Sequence, residues 1–363
     1  MGSNYHSFSK KRYKLEYIRI AMTSTKKMTY AKSGVDIDRE KKAIEALTSY
    51  FPFQSEGFGK PLPIKTHYAG AIDFGEWTLV MCTDGVGSKV VIANELKKWD
   101  TIGIDCVAMN VNDAICLGAK PIALVDYFAS ETSDPTMAKE IGKGLAEGAR
   151  QAGINIIGGE TATLPDMIKG FDLAGTCLAY ARKDCLITGE EISPGDVLVG
   201  LRSTGLHSNG YTLVRKLVKE NNLDYTDWSP FEKGKTLGEV LLTPTKIYVK
   251  EIINLIKKVP VKGLAHITGG GLENLKRLND KVKYVFDELF APPPVFDFIQ
   301  EIGNISHREM HRTFNMGMGF VIVLSKDNLE KALKILSGST EARKVGEIEK
   351  GKGVSLPSLK VRY

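Results

Sequence analysis

The chain lacks the sequence signatures of the commonest nucleotide and hydrolase sites. It has no GxxxxGK[ST], no GxGxxG opening a helix after a strand, no HExxH and no GxSxG. These absences exclude a P-loop NTPase, an obvious dinucleotide enzyme, a zincin and an α/β-hydrolase. No stretch approaches the roughly 18 apolar residues of a membrane span, and the N-terminus lacks the apolar run of about seven that a secretory signal needs. Cysteine is scarce. Five residues (Cys82, Cys106, Cys116, Cys177 and Cys185) make an odd number with no CxxC pair. Their apolar surroundings predict buried free thiols in a reducing, cytoplasmic setting. Low-complexity segments and short-period repeats are absent.

Excess charge is also missing from the body of the chain. The formal net charge is +6, but residues 1–27 hold seven basic residues (Lys10, Lys11, Arg12, Lys14, Arg19, Lys26, Lys27) and one acid (Glu16). Seven minus one is six, so the remainder is formally neutral. That excludes a nucleic-acid surface on the folded body. Residues 1–28 read as a basic leader, disordered or non-native, with Met22 and Met28 both usable starts.

At 363 residues and 43% hydrophobic content, the chain can build one large or two ordinary domains with sizeable cores. Strands are expected at Thr78–Thr83, Pro121–Ala129, Asn155–Ile157 and Asp172–Arg182. Helices are expected at Gly103–Leu117 and Pro135–Ala152, the latter capped by Asp134 and stopped by Gly153. This alternation argues for an α/β first half. Turn residues cluster at Ile187–Gly195, which places a boundary there: 29–187 as one domain and 188–363 as a second. The second half predicts strands at Asp196–Leu201, Gly319–Leu324 and Lys344–Ile348. Its helices are Tyr211–Glu220, Pro244–Lys258, Pro294–Glu301 and Asn328–Leu336.

Three acid-plus-glycine segments carry the chemistry of the first half. TDGVGSK puts Asp84 at a strand end, the usual ligand side of an open sheet, before a Gly-rich turn and Lys89. GIDCVAMNVNDAICLGAKP sets Asp105 and Asp113 eight residues apart in an apolar run, so both could share a helix face. Carboxylates there need compensation, and a hard cation carrying phosphates is one form of it. GGETA sets Glu160 behind two glycines that permit close backbone approach. Each segment alone also reads blandly, as an N-cap or a solvated acid; together they suggest a metal-phosphate site. In the second half, LRSTGLHSNGYTLVRK offers backbone amides with Ser208, Asn209 and Gly210 as a phosphate or oxyanion cradle. His207 there could move a proton. AHITGGGLENL sets His266 and Thr268 beside three glycines. In HRTFNMGMGF, Met316 and Met318 read as packing, and Gly317 and Gly319 as points of close backbone approach. His307 and His311 lack an evident third ligand and read as structural.

In order along the chain, these segments resemble the phosphoribosylformylglycinamidine cyclo-ligase (aminoimidazole ribonucleotide synthetase) family. YAKSGVDID (Tyr30–Asp38) and TPTKIYVK (Thr243–Lys250) match as well. The resemblance implies a two-domain α/β (α+β) fold and a homodimer whose N-terminal domain strands pair across it. It implies ATP-dependent ring closure of formylglycinamidine ribonucleotide, with ATP and Mg2+ as cofactors. It places the metal on Asp84, Asp113 and Glu160, and further nucleotide contacts on Gly85, Lys89, Asn112, Gly159, Ser208, Asn209 and Gly210. Lys89 would steady the transferred phosphoryl group, while His207, with His266 as second candidate, would handle a proton. No nucleic-acid or membrane partner is expected. The usual GGFGG-like loop is altered here, which puts Gly57, Gly59 and Gly70 in question. Two other readings compete: a related ATP-using enzyme such as a selenophosphate synthetase or thiamine-phosphate kinase, and a non-catalytic nucleotide-binding subunit. Against the first of these, no Cys precedes Cys82.

Overall fold

A computed structural model of the chain describes residues 29, 33–34, 37–64 and 67–363; the basic leader and most of the Tyr30–Asp38 motif lie outside them. In chain order the first half contributes α1 (Ile37–Thr48), β1 (Gly70–Phe74), β2 (Trp77–Gly85), α2 (Lys89–Leu96), α3 (Ile102–Ala114), β3 (Lys120–Ser130), α4 (Pro135–Ala152), β4 (Asn155–Thr163) and β5 (Phe171–Arg182). The strands form one sheet in the order β1-β2-β5-β3-β4. The alternation of strand and helix does not make it a parallel sheet. Only β3 and β4, joined through α4, run parallel.

Helices α3 and α4 cover one face of this sheet. α3 is buried on nearly every side, which is why it reads as an apolar run rather than a stripe. α4 is capped as expected: the Asp134 carboxylate accepts from the Thr136 and Met137 amides, and Gly153 closes the helix in the left-handed region. Small residues set the distance between the two helices. A Cβ at Gly144 would lie 2.6 Å from the Asp100 carbonyl, and one at Gly148 2.9 Å from Val107. Any larger side chain there would push α3 off the sheet.

The second half contributes β6 (Val197–Arg202), α5 (Tyr211–Glu220), α6 (Leu237–Leu241), α7 (Val249–Ile256), β7 (Gly263–His266), β8 (Val282–Phe286), α8 (Pro294–Gly303), α9 (His307–Thr313), β9 (Met318–Leu324), α10 (Leu329–Leu336), β10 (Ala342–Lys350), β11 (Gly353–Leu356) and β12 (Val361–Arg362). Its strands form a second sheet, β12-β11-β8-β10-β6-β9-β7, antiparallel except between β8 and β11. Gly319 behaves as expected: a Cβ there would collide with Tyr248 and His207.

Two expectations fail for tertiary reasons. The helix expected from Pro244 begins only at Val249, because residues 243–248 are drawn out to bond with α3. The strand expected over Asn155–Ile157 does not end before GGETA: β4 continues through it to Thr163, pairing with β3.

Candidate active site

The site is built on α3, whose polar residues are held by the second half of the chain. Asp105 is fully buried. Its Oδ1 accepts from the Thr245 amide at 2.7 Å and the Thr245 hydroxyl at 2.6 Å, and its Oδ2 lies 2.8 Å from the Lys89 ammonium. Lys89 also donates to the His207 carbonyl at 3.2 Å and the Thr243 carbonyl at 2.7 Å. Burial pushes the Lys89 pKa down, and Asp105 opposes that shift. Lys89, expected to steady a phosphoryl group, has no exposed surface and three partners, through which it links the two halves. Asp105 likewise leaves the acidic pair expected on this helix. Asn112 is another clasp. Its amide donates to the Lys246 carbonyl at 2.8 Å and its oxygen accepts from the Tyr248 amide at 2.9 Å, leaving little for a cofactor.

Asp113, one residue further, has a different environment. Its Oδ1 lies 2.9 Å from Nδ1 of the fully buried His266, and its side chain remains 15% exposed. A carboxylate has no proton to give, so Nδ1 carries the hydrogen, leaving Nε2 to face the Asn112 amide at 3.5 Å. Asp84 comes from the end of β2. The Asn110 side chain grips its backbone on both sides, accepting from the Asp84 N–H and donating to its carbonyl, each at 3.0 Å. Burial, and then the nearby Asp113 carboxylate, raise the Asp84 pKa to about 6; the Gly85 amide, His266 and Arg277 act the other way. Two half-buried carboxylates that crowd each other suit a divalent cation, which would relieve both burial and repulsion. Gly85 contributes no free amide, since its N–H donates to Asp84 Oδ1 at 2.8 Å.

The sheet register does not gather Glu160 with this pair. Asp84, Gly175, Asp126 and Gly159 form one row across β2, β5, β3 and β4. Glu160 belongs to the next row, with Gly85, Ala174 and Tyr127, so it projects from the opposite face. Among the described residues no group of three or more His, Cys, Asp or Glu is placed to hold a metal. The other acid in Asp84's row is Asp126, which no sequence motif singles out. Burial raises its pKa, and a Cβ on Gly159 would collide with its carboxylate. The absence of a side chain at Gly159 thus makes room for the Asp126 carboxylate.

In the loop before α5, His207 sits at φ +60 and is 1% exposed. Its Nε2 accepts from the Thr204 amide at 3.3 Å, while Nδ1 has no partner. Burial, followed by His266, Lys89 and Lys246, holds its pKa well below the usual histidine value. It is an interior, uncharged group. Ser208 is also turned inward, 2.9 Å from the Thr245 hydroxyl. Gly210 caps α5 at φ +78, where a Cβ would collide with Phe314. Asn209 also keeps unused capacity: its amide nitrogen has no partner, and its oxygen lies 3.1 Å from where a Gly269 Cβ would stand. The structure thus brings together Asp84, Asp113 and His266, sets Asn209 against the triple-glycine turn, and adds Tyr68 and Arg277. Arg277 lies just past AHITGGGLENL, whose glycines drew attention away from it, and no motif surrounds Tyr68. Gly57 and Gly59 flank Phe58, whose ring packs on Phe74 at 5.1 Å, and Gly70 opens β1. His311 bonds through Nδ1 to the His307 carbonyl, so the two histidines do not form a metal pair.

The family model for "AIR synthase related protein, N-terminal domain" matches residues 66–181, and that for the C-terminal domain matches residues 193–357. Phosphoribosylformylglycinamidine cyclo-ligase of Methanococcus maripaludis strain C7 is 54% identical over 89% of this chain and 92% of its own. Its counterparts from Methanocaldococcus jannaschii and Methanosarcina barkeri are 55% and 51% identical over 85% and 87% of the chain, and 88% and 94% of theirs. Among solved structures, AaThiL complexed with AMPPCP and TMP aligns with TM-score 0.63 at 13% identity, covering 90% of this chain and 96% of that one. The HypE-HypF complex aligns with TM-score 0.61 at 21% identity, covering 86% and 95%. These two show the shared fold. The family models and the close relatives span most of the sequence, and the chain belongs to the phosphoribosylformylglycinamidine cyclo-ligase family.

Proposed function

We infer that this chain closes the imidazole ring of aminoimidazole ribonucleotide from formylglycinamidine ribonucleotide and ATP, releasing ADP and phosphate in purine biosynthesis. Beyond family membership, the observation that carries this reading is the Asp84–Asp113 pair, with His266 fixed on Asp113 at 2.9 Å, at the junction of the two halves. An amide oxygen is a poor leaving group. Transfer of the terminal phosphoryl of ATP to the formyl oxygen converts it into a good one. The amidine nitrogen then attacks that carbon, the C–N bond closes the ring, and phosphate departs with the oxygen. Such chemistry asks for positioning and charge neutralisation more than for a nucleophile on the protein.

The chain's own groups divide that work. Asp84 and Asp113 would hold Mg2+, which when bound neutralises phosphate charge. His266 would keep the Asp113 carboxylate aimed, and Asn209 with the Gly269–Gly270 amides would offer donors to phosphate oxygens. ATP is supported by the AMPPCP named with AaThiL and the ADP named with T. maritima PurL, a neighbour of TM-score 0.55. Lys89, Asp105 and Asn112 would act indirectly, by holding the halves in register. A homodimer is supported by the sheet face turned away from α3 and α4. There Trp77, Met81, Val125 and Tyr127 are each more than a third exposed, on one face by strand alternation. A cytoplasmic location follows from the substrate class.

The test is ADP release from magnesium-ATP with and without formylglycinamidine ribonucleotide, with aminoimidazole product assayed in parallel. Substrate-dependent ADP in one-to-one ratio with product establishes the reading. ATP turnover that ignores this substrate overturns it.

A further inference from the structure

Arg277 is the one basic side chain of its segment without an acidic partner. It ends the Gly271–Arg277 turn of helix that follows the triple glycine, close to His266 in sequence. Two neighbouring cations are neutralised by Glu273: Lys276 at 3.3 Å and Arg312 at 3.6 Å. Arg277 has no ion pair among the described residues. Its guanidinium instead lies 5.0 Å from the ring centroid of Tyr68, from the other half of the chain. Tyr68 is itself fixed: it is buried, and its hydroxyl donates to the Asn274 carbonyl at 3.4 Å. Asn274 in turn donates to the Gly269 carbonyl at 3.2 Å. The ring therefore holds the guanidinium plane against the same turn that carries His266 and faces Asn209.

Arg277 also acts electrostatically on Asp84, Tyr68 and His67, lowering the pKa of each. His67, beside it, has neither ring nitrogen bonded, and burial followed by Arg277 brings its pKa down to about 4. At neutral pH His67 is uncharged, which leaves Arg277 as the cation of this wall. A planar guanidinium, stacked on an aromatic face, exposed and unpaired, has its hydrogen-bonding edge free. Two acids that crowd each other and one free guanidinium within their field make a site of mixed sign. A cation bridged to a phosphoryl oxyanion is the ligand that satisfies both ends.

We propose that Arg277, oriented by Tyr68, binds a phosphoryl group in the cleft beside Asp84 and Asp113. The inference rests on the cleft being a phosphoryl-transfer site. It adds that the second half supplies the anion-binding edge through a residue outside the Gly-rich motifs. The phosphoryl group could belong to the nucleotide or to the ribonucleotide, and two ligands separate these sources. Equilibrium affinities for magnesium-AMPPCP and for aminoimidazole ribonucleotide would be measured by calorimetry on wild type, Arg277→Ala, Arg277→Lys and Tyr68→Leu, with melting temperatures alongside.

Arg277→Ala should weaken one of the two ligands by about tenfold or more and leave the other within about twofold, because a charge-assisted contact is lost at one site. Arg277→Lys should recover only part of the loss, since it restores charge without the fork. Tyr68→Leu should weaken the same ligand. Loss on AMPPCP alone assigns the nucleotide phosphate, and loss on aminoimidazole ribonucleotide alone assigns the substrate phosphate. Unchanged affinity for both in Arg277→Ala overturns the proposal, whatever happens to its melting temperature, and makes Arg277 a packing residue. If wild type fails to cyclise formylglycinamidine ribonucleotide while Arg277→Ala still loses AMPPCP affinity, the subsite stands and the cyclo-ligase reading falls. If wild type binds neither ligand, both fall.

Discussion

Single residues show how environment divides groups of the same type. Asp105, Asp113 and Asp84 are all carboxylates near α3, yet one is locked in an ion pair, one is aimed by a histidine and one is left crowded. In metal-free protein the folded state raises the Asp84 pKa from 3.8 to about 6. The fold therefore favours the protonated form, and that contribution, present below pH 3.8, is lost as pH rises through 6. Asp84→Asn should stabilise chelator-treated protein at pH 7 by up to about 3 kcal/mol, with no gain at pH 4, while ring closure collapses. Paired thermal melts at the two pH values check this. Asp113→Asn should keep the fold and cut turnover by about a hundredfold or more, as removal of one preorganised charge does. Near-normal turnover would refute its metal role. His67 runs the opposite way in pH. Its folded pKa of about 4 lies below the ordinary 6.5, so the unfolded chain binds the proton first across that window. Stability is fully present above pH 6.5 and declines toward pH 4, by up to about 3 kcal/mol from this group. His67→Phe should flatten that part of the acid limb in denaturant titrations. The sequence exposed Asp84 and Asp113 because each stands out in an apolar or Gly-rich setting. It concealed Asp126 and Tyr68, which no motif singles out, and Arg277, which lies just past AHITGGGLENL.

At the scale of elements, α3 is the part to which most of the cleft is fastened. Its register was legible from the apolar run, but the use of its polar positions was not. Asp105 and Asp113 both point toward the second half, and only the arrival of Lys89, Thr245 and His266 decides which is structural. Lys89→Ala should therefore behave as a stability variant. It leaves a buried carboxylate unpaired, at a cost of about 3–5 kcal/mol. The double variant Lys89→Met, Asp105→Leu should recover much of that loss in chemical denaturation. If Lys89→Ala instead raised the KM for ATP with an unchanged melting temperature, the ion-pair assignment would be wrong. The same tertiary bonds explain why α7 starts late. Residues 243–248 have helical pattern, yet their backbone groups are spent on Asp105 and Asn112. Glu160 shows the sensitivity of strands: one residue of alternation carries it to the other face of the sheet, whatever its motif suggests.

For the whole molecule, the open face of the first sheet makes a solution prediction. A face bearing Trp77, Met81, Val125 and Tyr127 exposed suits a second copy of itself. Met81→Glu with Val125→Lys should shift the protein toward monomer in light scattering. A wild type that is monomeric at all accessible concentrations would rule out the homodimer.

The sequence by itself determined the class of the molecule: the neutral body, the mixed helices and strands, and the acid and glycine segments that mark the family. Those features are local, written in periodicity, caps and turn residues. Only the tertiary structure decided which polar groups are chemical and which are clasps. That choice depends on what the other half of the chain brings to within about 3 Å, the reach of a hydrogen bond. It sent Lys89, Asp105 and Asn112 inward, paired Asp113 with His266, and left Arg277 free beside Tyr68.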